Sequence, residues 1–162
     1  LINLYEPYIT KKELLSVTKS ILNSNLSGMS SPVSEFEDSF RNLFGFKYCL
    51  ATNSGTSALH LALIASGIKE GDEVIIPSIT FISTANAVSY VGAKPIIVDI
   101  DRDTYQISIN EIKKNITKKT SAIIPVHLYG NCPELDTISA IANLHNIKII
   151  HDTAEALGTN YK

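Results

Sequence analysis

A glycine- and hydroxyl-rich turn stands between a strand predicted over residues 48–52 and an apolar helical pattern, and it could bind a phosphate. Gly55 lets the backbone come close to a ligand, and the hydroxyl groups of Thr56 and Ser57 can donate hydrogen bonds. The first N–H groups of the helix would point the same way, with the positive end of the helix dipole behind them. The pattern predicts an anion site, although Ser54 is also an ordinary capping residue and the turn could simply start a helix.

Two residues at other predicted strand ends could contact a flat aromatic ligand. Phe81 follows a strand predicted over residues 73–76 and could stack on a ring face. Asp152 follows a strand predicted over residues 147–151, and its carboxylate could keep a ring nitrogen protonated. A phosphate site, a stacking ring and such a carboxylate are the three needs of pyridoxal 5'-phosphate (PLP). Taken alone, an Asp after a strand is more often a turn residue and a Phe more often part of the core, so both alternatives stay open.

The composition favours a globular domain and shows no sign of a polyanion-binding or membrane surface. Hydrophobic residues make up 44% of the 162 residues, and 14 basic and 16 acidic side chains are interspersed to a net charge of −2. No apolar run approaches the roughly 18 residues of a membrane span, and the start of the chain resembles no signal peptide. The two cysteines lack disulfide or metal-ligand spacing. We therefore expect a cytoplasmic protein that binds neither nucleic acid, nor membrane, nor metal.

The predicted strands and helices alternate along the chain. Strands are predicted over residues 48–52, 73–76, 95–99, 121–126 and 147–151, and helices over 11–23, 32–44, 80–91, 109–115 and 134–145, besides the helix after the turn. Short apolar strands that alternate with helices are typical of a parallel sheet covered on both faces. We therefore expect one α/β domain, with a mostly parallel sheet and helices on both faces. Ligands bind at the carboxyl ends of such strands, where the candidate residues collect.

Four segments carry motifs in a distinctive order and spacing. They read Asn-Ser-Gly-Thr-Ser-Ala-Leu-His-Leu-Ala-Leu at 53–63, Gly-Asp-Glu-Val-Ile-Ile-Pro at 71–77 followed by Thr80 and Phe81, Pro-Val-His-Leu-Tyr-Gly at 125–130, and Asp-Thr-Ala-Glu-Ala-Leu-Gly at 152–158. Together they resemble the DegT/DnrJ/EryC1/StrS family of sugar aminotransferases over essentially the whole chain. The resemblance implies the aspartate-aminotransferase type of PLP fold (fold type I), with residues 1–162 as the N-terminal part of the large PLP-binding domain.

The resemblance also implies roles for individual residues. Gly55 and Thr56, with Ser57 beside them, match the phosphate-binding turn of the family. Phe81 matches the aromatic residue that stacks on the cofactor ring. Asp152 matches the partner of the pyridine nitrogen. The three features expected from the residues themselves thus fall at the positions that this family uses for its cofactor.

Other positions of the resemblance depart from the family pattern. Glu155 falls where the family often has Gln or His near the phenolic oxygen of the cofactor, and a Glu there is similar to the perosamine-synthase-like members. His151 and Thr153 flank the aspartate where an acidic residue and alanine are commoner, a departure that bears on tuning of the ring. The Schiff-base lysine of the family is expected downstream of Lys162, which resembles a surface-turn lysine. We therefore expect an inactive fragment without a catalytic residue or the small C-terminal domain.

For the intact protein the resemblance implies a PLP-dependent homodimer that transfers an amino group from glutamate to a nucleotide-linked keto-deoxy sugar. Such a reaction belongs to the biosynthesis of surface polysaccharides or related sugars. A dehydratase of the same family, in which histidine replaces the lysine, and a truncated chain without catalytic function are open alternatives. A nucleotide-binding Rossmann module is disfavoured because no Gly-x-Gly-x-x-Gly follows any predicted strand.

Overall fold

A computed structural model describes residues 6–162 and divides into two compact units, one ending at Ala51 and one running from Thr52 to Lys162. The first unit contains two helices, α1 (Lys11–Leu22) and α2 (Ser31–Phe44). Within the described part of this unit, neither helix contains a buried residue. The apolar side chains of α1 are exposed, whereas Phe40 and Phe44 of α2 are half-buried.

Local hydrogen-bonding signals account for the ends of these helices. Thr10 and Glu13 form the predicted capping box at the start of α1, with the Thr10 N–H donating to Glu13 Oε2 at 2.7 Å. Gly45 has a φ of 70° and ends α2 as predicted. α2 begins one residue earlier than predicted, at Ser31, because Pro32 is tolerated anywhere in the first turn, where its missing N–H has no helical partner.

The prediction of a strand over residues 48–52 is wrong, since the segment has no regular secondary structure. A strand needs a neighbour for its N–H and C=O groups, and none of the described residues pairs with this segment. The N–H of Ala51 instead donates to the carboxylate of Glu37 at 2.7 Å. Local composition can favour an extended backbone, but it cannot supply the partner that makes a strand.

The second unit is an α/β structure, which confirms the predicted class. Its strands are β1 (Glu73–Pro77), β2 (Lys94–Val98), β3 (Thr120–Ile123) and β4 (Lys148–Ile149), and its helices are α3 (Gly55–Ala65), α4 (Ile82–Tyr90), α5 (Ile109–Asn115) and α6 (Leu135–His145). The strands form one parallel sheet in the order β2-β1-β3-β4. A short 3-10 turn, Leu128–Gly130, lies between β3 and α6.

Each face of the sheet carries its own helices and its own apolar core. The side chains of α3 and α4 pack on one face with Val74 and Ile76 of β1, whereas those of α5 and α6 pack on the other face with Ile75. Successive residues of a strand point to opposite faces, so β1 contributes to both cores. These three side chains are at most 1% exposed. The prediction of helices on both faces is confirmed.

Several element ends differ from the predictions by one or more residues, and three of them, the start of α4 and the ends of β3 and β4, lie near the carboxyl edge of the sheet. α4 starts about two residues late because Phe81 has an extended backbone, with φ −72° and ψ 142°. β3 and β4 are shorter than predicted because Pro125 has no N–H to donate to the ladder. The Pro125 carbonyl still accepts from the Asp152 N–H at 3.1 Å, and Val126 forms an isolated parallel bridge with Asp152. The loops after β3 and β4 are therefore held side by side.

Candidate functional site

The N-terminus of α3 carries a side-chain cap and still has free backbone donors. Ser54 Oγ accepts from the Ser57 N–H at 3.2 Å and donates to Ser57 Oγ at 3.0 Å. Both the N–H and the hydroxyl of Ser57 are therefore already bonded to the capping residue. The N–H groups of Gly55 and Thr56 meet no acceptor within residues 6–162, as expected for the first turn of a helix. Gly55 and Thr56 are thus the donors that an anion could use.

Gly55 keeps the approach to this helix end open. A Cβ built on Gly55 would meet no heavy atom within 4 Å, so packing of the protein does not require a glycine here. The residue instead borders a cavity at the carboxyl edge of the sheet. An open position beside two free N–H groups fits an anionic group that approaches the backbone closely.

The ring of Phe81 lies at the same cavity and not in either apolar core. Its side chain is 73% exposed although the residue stands directly before the well-packed helix α4. This exposure excludes the alternative that Phe81 is an ordinary core residue. A large ring on the wall of a cavity can cover one face of a flat ligand.

Asp152 presents a buried carboxylate to the cavity. The residue is 7% exposed, and its Oδ2 accepts from Thr84 Oγ1 at 2.8 Å while its Oδ1 accepts from the Ala154 N–H at 3.3 Å. A buried carboxylate is costly unless it is hydrogen-bonded, and these two donors offset that cost. A carboxylate held in this way suits the binding of a protonated ring nitrogen.

Glu155 is fixed by a loop with a strained backbone. Its Oε2 accepts from the Tyr129 N–H at 2.8 Å, and Tyr129 has a φ of 53°, which is unfavourable for a bulky residue. The bond joins the turn after β4 to the loop after β3. Glu155 also lines the cavity, so its position there is set by both segments.

The cavity has a volume of about 390 Å³, a size typical of small-molecule sites. Five of the six residues predicted to bind a cofactor line it, namely Gly55, Thr56, Phe81, Asp152 and Glu155. Ser57 does not line it, because the cap holds this side chain against Ser54. Free helix N–H groups, an aromatic ring and a buried carboxylate meet in one space. These groups fit the phosphate, the ring face and the ring nitrogen of PLP.

Sequence reasoning predicted no role for two threonines that connect to Asp152, one of which, Thr80, also lines the cavity. Thr84 lies on α4 and is fully buried, and its Oγ1 is 2.9 Å from the Oγ1 of Thr80. The available signal was their spacing of four residues on a predicted helix, which places two hydroxyl groups on the same side of a segment that otherwise buries apolar residues. The connection to Asp152 could not be seen, because 68 residues separate it from Thr84.

A histidine pair joins the two loops behind the site. His127 Nε2 lies 3.1 Å from His151 Nδ1. Burial lowers the pKa of both rings, and for His127 the neighbouring His151 lowers it further while Asp152 opposes the shift. Two protonated rings at this distance would repel each other, so at neutral pH the pair shares a single hydrogen bond between neutral rings.

Lys162 stands apart from the residues that line the cavity. Its Nζ pairs with the carboxylate of Asp136 on α6, which raises the lysine pKa, and its side chain is 72% exposed. No cluster of three or more His, Cys, Asp or Glu side chains in the described ranges could hold a metal ion. Across residues 6–162, every helix is too short or too polar to cross a bilayer.

Residues 7–162 match the sequence profile of the DegT/DnrJ/EryC1/StrS aminotransferase family. GDP-perosamine synthase from Escherichia coli O157:H7 is 42% identical over 161 residues, which are 99% of this chain and 44% of that protein. The chain thus spans less than half the length of this curated relative. The match confirms the resemblance that the four motifs indicate.

Solved structures that are similar in fold include three with TM-scores of 0.87 or more. An aminotransferase from Psychrobacter cryohalolentis has a TM-score of 0.92 and 36% identity, with 96% of this chain and 40% of that chain covered. NtdA from Bacillus subtilis, with bound PMP, has a TM-score of 0.87 and 36% identity, covering 93% and 35%. A GDP-4-keto-6-deoxymannose-3-dehydratase with a trapped PLP-glutamate geminal diamine has a TM-score of 0.89 and 30% identity, covering 99% and 43%.

These neighbours confirm the predicted fold, which is the fold type I of PLP-dependent aminotransferases. The cofactors bound in two of them, PMP and PLP, also agree with the group that the cavity residues fit. By the match across residues 7–162, the chain belongs to the DegT/DnrJ/EryC1/StrS aminotransferase family.

Proposed function

We propose that this chain is the N-terminal part of the large domain of a PLP-dependent sugar aminotransferase. The complete protein would act as a cytoplasmic homodimer and transfer an amino group from glutamate to a nucleotide-linked keto-deoxy sugar. The observation that carries the proposal is the cavity where the free N–H groups of Gly55 and Thr56 meet the exposed ring of Phe81 and the buried carboxylate of Asp152. The likeness to a GDP-perosamine synthase supports GDP as the nucleotide.

In this proposal each cavity residue binds one part of the cofactor. When bound, PLP supplies an electron sink for the negative charge that develops on the substrate carbon. The N–H groups of Gly55 and Thr56, with the Thr56 hydroxyl, bind the phosphate at the positive end of the α3 dipole. Phe81 covers one ring face and excludes water from it. The carboxylate of Asp152 accepts a hydrogen bond from the protonated ring nitrogen and keeps that proton in place.

Two roles toward the cofactor remain, one at its phenolic oxygen and one in proton transfer. We assign Glu155 to the edge of the cofactor that carries the phenolic oxygen, because the Tyr129 N–H fixes its carboxylate at the cavity wall. The amine that moves the proton belongs to a lysine outside residues 1–162 in this proposal. Lys162 is a poor candidate because its Nζ is paired with Asp136 and it does not line the cavity.

A sugar dehydratase is the second candidate, because a GDP-4-keto-6-deoxymannose-3-dehydratase is among the similar structures. The cavity residues would hold the same cofactor in either enzyme. The two candidates differ in the residue that moves the proton, which the family resemblance makes a lysine in the aminotransferases and a histidine in the dehydratase.

The test uses the complete protein with PLP, L-glutamate and a GDP-linked 4-keto-6-deoxy sugar, and follows the products by mass spectrometry. An amino sugar formed together with 2-oxoglutarate is the expected result. A sugar that has lost water would favour the dehydratase instead. A protein that neither binds PLP nor changes the sugar would contradict both candidates. Lys162→Met is the control, and we expect it to retain full amino transfer.

A further inference from the structure

We propose that Thr84 is a positioning residue that holds the Asp152 carboxylate in its working orientation, an inference that rests on the proposed PLP-dependent function. Thr84 Oγ1 donates to Asp152 Oδ2 at 2.8 Å across 68 residues of sequence. Thr84 is 0% exposed and does not line the cavity. Its hydroxyl contacts two residues that do line the cavity, Asp152 and Thr80, and of these the Asp152 carboxylate is the one assigned to the ring nitrogen.

The chemistry of the groups sets the direction of the hydrogen bonds. An ionised carboxylate can only accept, so Thr84 uses its one hydroxyl hydrogen on Asp152. The Oγ1 of Thr80, 2.9 Å away, must then donate to Thr84. The carbonyl oxygen of Phe81 lies farther from Thr80 Oγ1, at 3.4 Å, and is the poorer acceptor. A one-way chain of donors thus runs from Thr80 through Thr84 to Asp152.

The hydrogen bonds from Thr80 through Thr84 limit how the Asp152 carboxylate can rotate. Within the described residues the Asp152 carboxylate accepts from the Thr84 hydroxyl at 2.8 Å and from the backbone N–H of Ala154 at 3.3 Å, and the shorter bond is the stronger restraint. A hydrogen bond to a ring nitrogen needs a carboxylate lone pair that points at it. Without the Thr84 hydroxyl, Oδ2 would lose its donor in a buried place and the carboxylate would turn toward other partners. Thr84 therefore controls how firmly Asp152 keeps the proton on the ring nitrogen.

The test measures the protonation of the ring nitrogen directly, in the complete protein loaded with PLP that is ¹⁵N-labelled at that atom. Thr84→Val keeps the shape of the side chain but removes the hydroxyl, and Thr84→Ser keeps the hydroxyl. Ser89→Ala is the matched control, because Ser89 lies on the same helix and, among residues 6–162, its exposed hydroxyl bonds only the Ala85 carbonyl, at 3.1 Å.

We expect the ¹⁵N signal of the wild type to have the shift of a protonated ring nitrogen at neutral pH. In Thr84→Val the signal should move toward the unprotonated value, and kcat should fall about 10- to 100-fold, as for loss of one hydrogen bond to a charged group. Thr84→Ser should restore both values. Ser89→Ala should change neither.

A folded Thr84→Val protein with the wild-type ¹⁵N shift and kcat overturns the inference, since a role in core packing alone would give that result. If Thr84→Val does not fold, Thr84→Ala removes the same hydroxyl with a smaller side chain and should move the signal in the same direction. An unchanged signal in a folded Thr84→Ala protein also overturns the inference. A wild type that binds no PLP contradicts the proposed function as well, so the two failures are distinguishable.

Discussion

Replacing Asp152 with Asn removes one negative charge and nearly preserves the shape of the side chain, so it separates a role in chemistry from a role in binding. We expect the barrier to deprotonation of the substrate to rise by about 3 kcal/mol, the cost of losing one preorganised electrostatic partner. PLP affinity should change less, because the donors at Gly55 and Thr56 are untouched. Stopped-flow absorbance of the glutamate half-reaction and a PLP titration measure the two quantities. A variant with the full transamination rate would remove Asp152 from the mechanism.

The histidine pair predicts an acid-sensitive stability. Burial lowers the pKa of His127 and His151 below their ordinary value of 6.5, so below that pH the unfolded chain binds protons more readily than the folded one. The contribution of the pair is therefore fully present above about pH 6.5 and is lost as the pH falls through the window below it.

Urea unfolding of the complete protein at about pH 7.5 and about pH 5.5 measures this loss. We expect His151→Gln to show a smaller fall in the free energy of unfolding between the two pH values than the wild type, because one of the two titrating rings is gone. An equal fall in both proteins would assign the acid sensitivity to other groups.

The first turn of α3 combines two roles, phosphate binding and helix capping, which substitutions can separate. We expect Thr56→Val with Ser57→Ala to weaken PLP binding by about 1.5 to 3 kcal/mol for each charge-assisted hydrogen bond lost. The cap already uses the N–H and the hydroxyl of Ser57, so Thr56 should account for most of the loss. Ser57→Ala alone keeps the backbone N–H that Ser54 caps and loses only the bond between the two hydroxyl groups, so it should lower the free energy of unfolding by about 0.5 to 1 kcal/mol. Fluorescence titration with PLP and thermal melts check both effects. An unchanged titration in the double variant would make the turn a simple helix cap.

Element boundaries were predictable where they depend on neighbouring residues. Thr10 and Glu13 start α1 through hydrogen bonds within one turn, and Gly45 ends α2 through its own dihedral angles. A short sequence window therefore contains the whole cause of each boundary. Strand ends were less predictable because pairing is not local. Nothing near residues 48–52 reveals that no described strand pairs with them, and the shortening at Pro125 depends on how β3 meets β4.

Site residues were likewise predictable where the cause is local in the sequence, and not where it is a contact between distant segments. Motif spacing led to Gly55, Phe81 and Asp152 because each stands at the end of a strand or the start of a helix, where ligands of parallel sheets bind. It did not lead to Thr84, whose role depends on a contact across the fold. It also predicted Ser57 as a site residue, and Ser57 does not line the cavity, because a hydroxyl in a turn gives no sign of whether it bonds to the cap of its own helix.

At the scale of the whole molecule, we expect residues 1–162 expressed alone to be poorly stable and without amino transfer. Large apolar side chains on α1, such as Leu22 at 79%, are exposed, and β2 and β4 each have one edge without a neighbour in the described sheet. Such surfaces favour aggregation or strand exchange. Each polar group buried without a partner costs about 1 to 3 kcal/mol, against a typical net stability of about 5 to 15 kcal/mol.

The measurement is to purify residues 1–162, add PLP, reduce with borohydride and map labelled lysines by mass spectrometry, with size-exclusion chromatography and a thermal melt alongside. We expect aggregated or non-cooperatively melting material with only scattered labelling. A monomer that melts cooperatively and carries one stoichiometrically labelled lysine would contradict this prediction. If the labelled residue were Lys162, its assignment to the surface would also be wrong.

The cavity is assembled from segments that lie far apart in the chain, since Gly55 and Thr56 precede Phe81, which in turn precedes Asp152 and Glu155. A ribosome makes these segments in that order, so the α3 turn leaves the exit tunnel well before the carboxylates are translated. The growing chain therefore cannot hold both the phosphate and the ring nitrogen of PLP until β3 and β4 have joined the sheet. A nascent chain should consequently take up the cofactor no earlier than the emergence of Glu155.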